Sequence, residues 1–208
     1  MVQYQLGRLV LFLKMNKMVK DALDFIFDRA QELHAKGIEL DLLTVDNHAD
    51  SVYLYQRVLK DDPERADEVY KMLNWNGGNQ SGIAIAAIDP KGNVHPDQFS
   101  WHQTFGNVRD RDFGEIWQDR SDPFLGILKE RKEHLKGRCS VCKWLPICNG
   151  NLRVRAESYF DDALAPDPGC YLTDEECGIE PGTPEAVVAN EFIVPAQEML
   201  VGAEGGAS

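Results

Sequence analysis

Residues 136–156 read KGRCSVCKWLPICNGNLRVRA, placing Cys139, Cys142 and Cys148 in a C-x2-C-x5-C run, with Cys170 following after 21 intervening residues. Two thiolates separated by two residues wrap one metal centre from a single turn, a third arrives from the next turn, and a distal cysteine closes the set. Pro146 and Gly150 suit a chain that bends around an inorganic core instead of continuing as a helix. The competing reading is four buried free thiols, which are common core residues. A structural zinc ribbon shows two C-x2-C knuckles where this chain has one, so spacing favours a four-thiolate iron-sulfur cluster over zinc. Cys177 is left over and reads as a surface or half-buried thiol, because four thiolates already complete a site.

Composition frames that motif. The chain has 208 residues, 43% of them hydrophobic, enough for a core in one domain or two. Against 34 acidic residues stand 22 basic ones, a net charge of -12 with no basic run, so nucleic acid is an unexpected partner. The apolar run Leu9–Leu13 (LVLFL) falls far short of the ~20 residues that cross a bilayer, and no transmembrane helix is expected. The opening segment imitates a signal peptide, but Lys14, Lys17 and Lys20 follow the apolar run at once, and the chain reads as cytoplasmic. Five cysteines in a reducing compartment then read as metal ligands or buried thiols rather than disulfides.

Outward from the cysteines the pattern is α/β. Residues 17–36 read as an amphipathic helix with Ala22, Leu23, Phe25, Ile26, Phe27, Ala30 and Leu33 apolar, ended by Gly37. Ile38–Val45 (IELDLLTV) alternates as a strand. Asp50 or Ser51 is expected to cap a helix reaching residue 60 with Val52, Leu54, Tyr55 and Val58 inward, and a further helix spans Pro63–Leu73. Turn formers in NGGNQSG mark a boundary near residue 76. Beyond it IAIAAI (83–88), a tight turn at Asp89–Asn93 and a return over Val94–Phe99 make a hairpin. Ser121-Asp122-Pro123 starts a helix whose buried stripe is Phe124, Leu125, Ile127, Leu128 and Leu135. From about residue 179 the texture thins into a tail, in which Phe192–Leu200 is expected as a short docked helix.

The hairpin GIAIAAIDPKGNVHPDQF, the stretch FGNVRDRDFGEIW (105–117) and the cysteine cluster together resemble the C-terminal auxiliary-cluster domain, of SPASM or twitch type, of radical S-adenosylmethionine enzymes. Within that family NVHPDQFSWHQTFGNVRDR, SDPFLGILKER, NGNLRVRAES and DPGCYLTDEECGI are most similar to the haem d1 biosynthesis branch, the NirJ proteins, over about residues 14–179. NHADSVYL (47–54) fits the end of the preceding barrel. The resemblance implies three parts: residues 1–76 as the C-terminal remnant of a partial (β/α) barrel, 77–178 as a small α+β auxiliary-cluster domain, and 179–208 as tail. Full SPASM domains place cysteines where this chain has Asp97 and Leu152, so one auxiliary cluster is missing, and Cys139, Cys142, Cys148 and Cys170 match the ligand set of the other. Asp97 separates this pattern from related enzymes of the alternative haem pathway, and on its own reads as a solvated turn-end carboxylate.

What the resemblance implies for function is removal of two propionates from a didecarboxysirohaem-type tetrapyrrole by a deoxyadenosyl radical, with an auxiliary 4Fe-4S cluster passing an electron. S-adenosylmethionine and a second 4Fe-4S cluster would belong to a full-length form, because the C-x3-C-x2-C motif that binds the radical cluster occurs nowhere in the chain. This and the poor fit of residues 1–13 suggest an incomplete gene, a wrong start or a frameshift, with a missing N-terminal half or an electron donor as partner, an unpaired sheet edge and a less stable first 75 residues. The alternative is a non-catalytic iron-sulfur or zinc module; a scaffold role is the weakest reading. Arg109, Arg111, Arg153 and Arg155 are candidates for substrate carboxylates, since guanidinium binds carboxylate bidentately, or else exposed cations of an acidic protein. His95 and His102, flanking Phe99–Trp101, either meet a macrocycle or form a polar turn beside a packed Trp, while Trp117 and Trp144 are expected in the core.

Overall fold

The computed structural model describes residues 2–44 and 46–192, residues 2–16 by backbone alone. It is rich in helix, with one small antiparallel sheet. Helix α1 (Val2–Ala35) leads into an extended segment, followed by α2 (Ala49–Asp61), a 3-10 turn at Pro63–Arg65 and α3 (Ala66–Asn76). The strands β1 (Ala87–Ile88), β2 (Asn93–His95) and β3 (Gly106–Asn107) are paired in the order β1-β2-β3, with Ala87 opposite His95 and Val94 opposite Gly106. Seven short helices follow: α4 (Phe113–Gln118), α5 (Pro123–Lys129), α6 (Gly137–Val141), α7 (Leu145–Cys148), α8 (Arg153–Phe160), α9 (Asp174–Cys177) and α10 (Pro184–Ala189). Among the described residues no helix is long and apolar enough to cross a membrane.

Two cores hold these elements. The larger joins Leu23 and Phe27 of α1 and Val52 and Tyr55 of α2 to Trp144, Ile147, Tyr171, Leu172 and Ile179, so the N-terminal helices pack directly on the segments that carry the cysteines. The smaller gathers Val94, Phe105, Ile116, Leu125 and Leu128 under the sheet. Trp144 is in the core as expected, and Trp117 packs at the edge of the smaller one. Asp122 caps α5 by accepting from the Phe124 and Leu125 amides at 2.9 Å, with Pro123 in the first turn. Leu125 and Leu128 form its buried stripe; Leu135 is buried too but lies beyond the helix end.

Several expectations need correction. Residues 38–44 form no strand, and Ile38, Leu40, Leu42 and Leu43 are exposed, because a strand is stabilised by a hydrogen-bonded neighbour and the described residues supply none. The hairpin strands are shorter than their alternation, since Ser81–Ile85 folds into a turn closed by a bridge. On α1, Phe25 and Ile26 face outward while Leu23 and Phe27 are buried. Asp50 lies inside the first turn of α2 and accepts the Tyr171 hydroxyl at 2.8 Å, so it does not cap the helix; the Asn47 side chain accepts from the Ala49 amide instead. Past Phe192, the helix expected to Leu200 lies outside the described residues.

Helix α9 is tied to α1 by charge. Lys20 Nζ lies 2.7 Å from the Glu176 carboxylate, which also accepts the Thr173 amide at 2.6 Å in a complete capping box. Burial pushes the Glu176 carboxyl up, but Lys20 and Thr173 outweigh it and hold it below 4.5. A carboxylate whose folded value is depressed stabilises the fold above its unfolded value and loses that contribution as pH falls. Glu176→Gln keeps the cap and removes the charge, so it should cost on the order of 1 kcal/mol near neutrality. In melts taken stepwise to acid, the gap between variant and wild type should close below pH 4.5.

Candidate metal centre

Three short elements converge on one pocket. Helix α6 carries Cys139, Cys142 follows at its end, α7 ends on Cys148, and Cys170 lies on the loop before α9. The chain leaves Cys148 through Asn149, Gly150 and Asn151, all left-handed with φ of 54°, 81° and 58°, a conformation that Gly and Asn tolerate best. Each Asn is buried and bonded: Asn149 Nδ2 donates to the Asn79 carbonyl at 2.5 Å, and Asn151 donates to Asn47 Oδ1 and accepts from the His48 amide, both at 2.7 Å. The turn is thereby pinned to α2 and to the end of α3. Asp167 fixes the last ligand loop, for its carboxylate accepts the Leu152 and Gly169 amides and its carbonyl accepts the Cys170 amide at 3.1 Å.

The sulfurs of Cys139, Cys142, Cys148 and Cys170 line this pocket with Trp144, Leu145, Pro166 and Leu172. All four residues are half-buried. Burial, then the neighbouring thiolates, push Cys148 well above the usual thiol value, and burial pushes Cys139 up as well. A hydrogen bond with Cys177 and then burial push Cys170 well up. Such mutually opposed thiolates fit a site where a metal centre supplies the positive charge. Among the described residues, no three His, Cys, Asp or Glu side chains are drawn closely enough to hold one ion.

Arginine charge acts on the thiols. Arg138 Nη1 approaches Cys170 Sγ at 3.7 Å, while its Nε pairs with Asp174 at 2.7 Å and its Nη2 bonds the Leu172 carbonyl. Burial works against that charge, but the Cys170 and Cys177 sulfurs and Asp174 hold it above the ordinary arginine value. Arg153, 3% exposed, donates Nη1 to the Ala163 and Ala165 carbonyls, and its Nε and Nη2 have no hydrogen-bond partner among the described residues. Its charge acts on Cys139 and Cys148 from behind Gly150. Buried orphan donors beside thiols are what an anionic cluster would satisfy, so the donor set fits the group.

The other expected residues are spread out. Arg153 is buried rather than an exposed surface cation, and Arg155 holds Asp167 through Nε and Nη2, both at 2.6 Å. Arg109 is exposed near the β1–β2 turn, with Nη2 donating to the Pro90 carbonyl at 3.2 Å, and Arg111 pairs with Asp119 at 2.7 Å. His95 is buried, bonded to the Gln103 carbonyl at 2.6 Å and edge-on to Trp101; His102 meets Glu157 at 2.9 Å. Asp97 is not solvated: it is 2% exposed, accepts the Phe99 and Ser100 amides, and has one oxygen without a partner. Cys177, read from the sequence as spare, is buried in the same pocket.

Residues 82–143 match the SPASM family, an iron-sulfur cluster-binding domain. Cys139 and Cys142 lie inside that match, with Cys148 and Cys170 beyond it. The Fe-coproporphyrin III synthase of Methanosarcina barkeri is 52% identical over 162 residues, 76% of this chain and 41% of that protein. The pre-heme d1 synthase of Dinoroseobacter shibae is 39% identical over 159 residues, 76% of this chain and 39% of that protein. A third relative, the AdoMet-dependent heme synthase of M. barkeri, is 35% identical over 65 residues, 31% of this chain and 18% of that protein. Over these stretches the chain is similar to a SPASM iron-sulfur cluster-binding domain and to tetrapyrrole synthases, one of them AdoMet-dependent by name. It spans about two fifths of the length of the first two relatives, at 41% and 39%. No solved structure matches it.

Proposed function

We propose that the chain is the auxiliary-cluster part of a radical S-adenosylmethionine enzyme that removes propionate side chains from a didecarboxysirohaem-type tetrapyrrole, with Cys139, Cys142, Cys148 and Cys170 holding a 4Fe-4S cluster. The observation that carries this reading is the convergence of Cys170 with the clustered Cys139, Cys142 and Cys148 on one pocket lined by Arg138, with the charges of Arg153 and Arg155 acting on its thiols. When bound, the cluster supplies a one-electron acceptor or relay; four thiolates leave no iron open to substrate, so electron transfer is its economical use. Trp144, Leu145, Pro166 and Leu172 keep water from the sulfurs. Arg109, exposed and, among the described residues, without the carboxylate partner that Arg111 has in Asp119, is the candidate for a substrate carboxylate, and Arg153 and Arg155 serve the pocket.

The exposed apolar residues of segment 38–44 support reading the first helices as the end of a partial barrel, with S-adenosylmethionine and the radical cluster bound by sequence that the relatives possess and this chain does not span. The relatives' names point to three tetrapyrroles, so the haem d1 assignment rests on Asp97 and the quoted phrases. The SPASM match, which describes cluster binding alone, leaves one second reading, a non-catalytic iron-sulfur or zinc module acting with a separate partner. Anaerobic reconstitution separates the two metals. About four iron and four sulfide per chain are expected, with thiolate-to-iron absorption unchanged when an iron tetrapyrrole carboxylate is added. One zinc without colour would leave the structural module, and thiolate loss on titration would overturn the electron-transfer role.

A further inference from the structure

Cys177 was the cysteine without a task, and the structure gives it a place. It is 1% exposed and lines the same pocket as the four expected ligands, with its thiol within interaction range of the sulfurs of Cys142 and Cys170. We propose that Cys177 is a reserve ligand of the cluster, able to take the corner held by Cys170. The inference rests on the cluster reading above.

Three observations support it. First, Cys177 sits on a rigid mount: it ends α9, the Lys143 amide donates to its carbonyl at 3.1 Å, and Trp144 Nε1 donates to the preceding carbonyl at 2.5 Å. It therefore moves with the C-x2-C loop that presents Cys142. Second, the Cys170 sulfur faces the Arg138 guanidinium at 3.7 Å, and a ligand thiolate that accepts such a bond gives less charge to its iron. That makes the Cys170 corner the exchangeable one. Third, the charge of buried Arg153 acts on Cys139 and Cys148 from behind Gly150, which favours an anionic group in the pocket whichever four sulfurs complete it. The exchange balances without any oxidant or reductant: the iron–sulfur bond to Cys170 breaks, the bond to Cys177 forms, and the Cys177 thiol proton passes to the departing Cys170 sulfur.

The test loads the whole chain with ferrous iron and sulfide and compares wild type, Cys177→Ala, Cys170→Ala, the double variant and Cys139→Ala, reading iron per chain and the resonance of the reduced cluster. Cys177→Ala should keep wild-type iron. Cys170→Ala should also keep it, with a shifted resonance, whereas the double variant and Cys139→Ala should fall below about half. Cys170→Ala falling as far as the double variant, or the double variant retaining as much iron as Cys170→Ala, would overturn the proposal. If Cys170→Ala does not fold, Cys170→Ser with and without Cys177→Ala carries the same comparison. Wild type without iron would sink the cluster reading itself, a different outcome from loss in Cys170→Ala alone.

Discussion

Replacing Asp167 by alanine should destabilise the chain by about 3 kcal/mol and strip most iron from the reconstituted protein. The residue is 3% exposed and all its acceptor capacity is used: two bonds of 2.6 Å from Arg155, with the Leu152 amide at 2.9 Å and the Gly169 amide at 2.8 Å. Removing it leaves a guanidinium 17% exposed without its carboxylate and two amides without acceptors. Breaking one side of a buried pair costs more than the pair contributes, because the remaining charge is still desolvated. The damage is local to the ligand loop, since the Cys170 amide bonds the Asp167 carbonyl. Asp167→Asn keeps the shape and one acceptor oxygen, so its loss in urea denaturation should be about half as large. Equal midpoints for Asp167→Ala and wild type would show that Asp167 does not hold the loop.

How far the sequence revealed this follows from the range of each interaction. Asp122-Pro123 was readable because a cap is settled within three residues, and C-x2-C-x5-C because its ligands share two adjacent turns. Asp50 has the same local signature as a cap, yet its partner is the hydroxyl of Tyr171, 121 residues away, and tertiary contact overrode the local preference. Arg153 and Arg155 looked like surface charge in a polar-rich run. Their burial follows from the way 162–167 folds back over α8, presenting the carbonyls of Ala163 and Ala165 and the carboxylate of Asp167. Ile38–Val45 has the alternation of a strand, but alternation states which face would be buried and not whether a neighbour exists. Cys177 was set aside by counting to four, and no spacing rule could show that α9 points it at Cys142 and Cys170.

Gly78→Ala should be the most damaging single methyl added to this chain. Gly78 has φ of 69°, and a Cβ there would run into the backbone of Ile147 and Cys148, including both carbonyl oxygens. The left-handed conformation alone costs an L-residue about 1–2 kcal/mol, and overpacking adds about 1–3 kcal/mol. Because the obstacle is backbone, relief requires α7 to move, and Cys148 moves with it; the Asn79 amide, which donates to the Cys148 carbonyl at 3.1 Å, would lose its partner too. Neighbouring Gly77 is the control. Its φ is 72°, but its Cβ would meet the Gln80 side-chain amide at 2.6 Å, a flexible group that can swing away. Gly77→Ala should therefore show the conformational cost alone and keep its iron, while Gly78→Ala should lose about 2–5 kcal/mol and most of the cluster. Parallel losses of iron in both variants would mean that the turn formers after α3 act through backbone conformation alone. A loss confined to Gly78→Ala would mean that the missing side chain lets the end of α3 lie against the ligand helix and so positions Cys148.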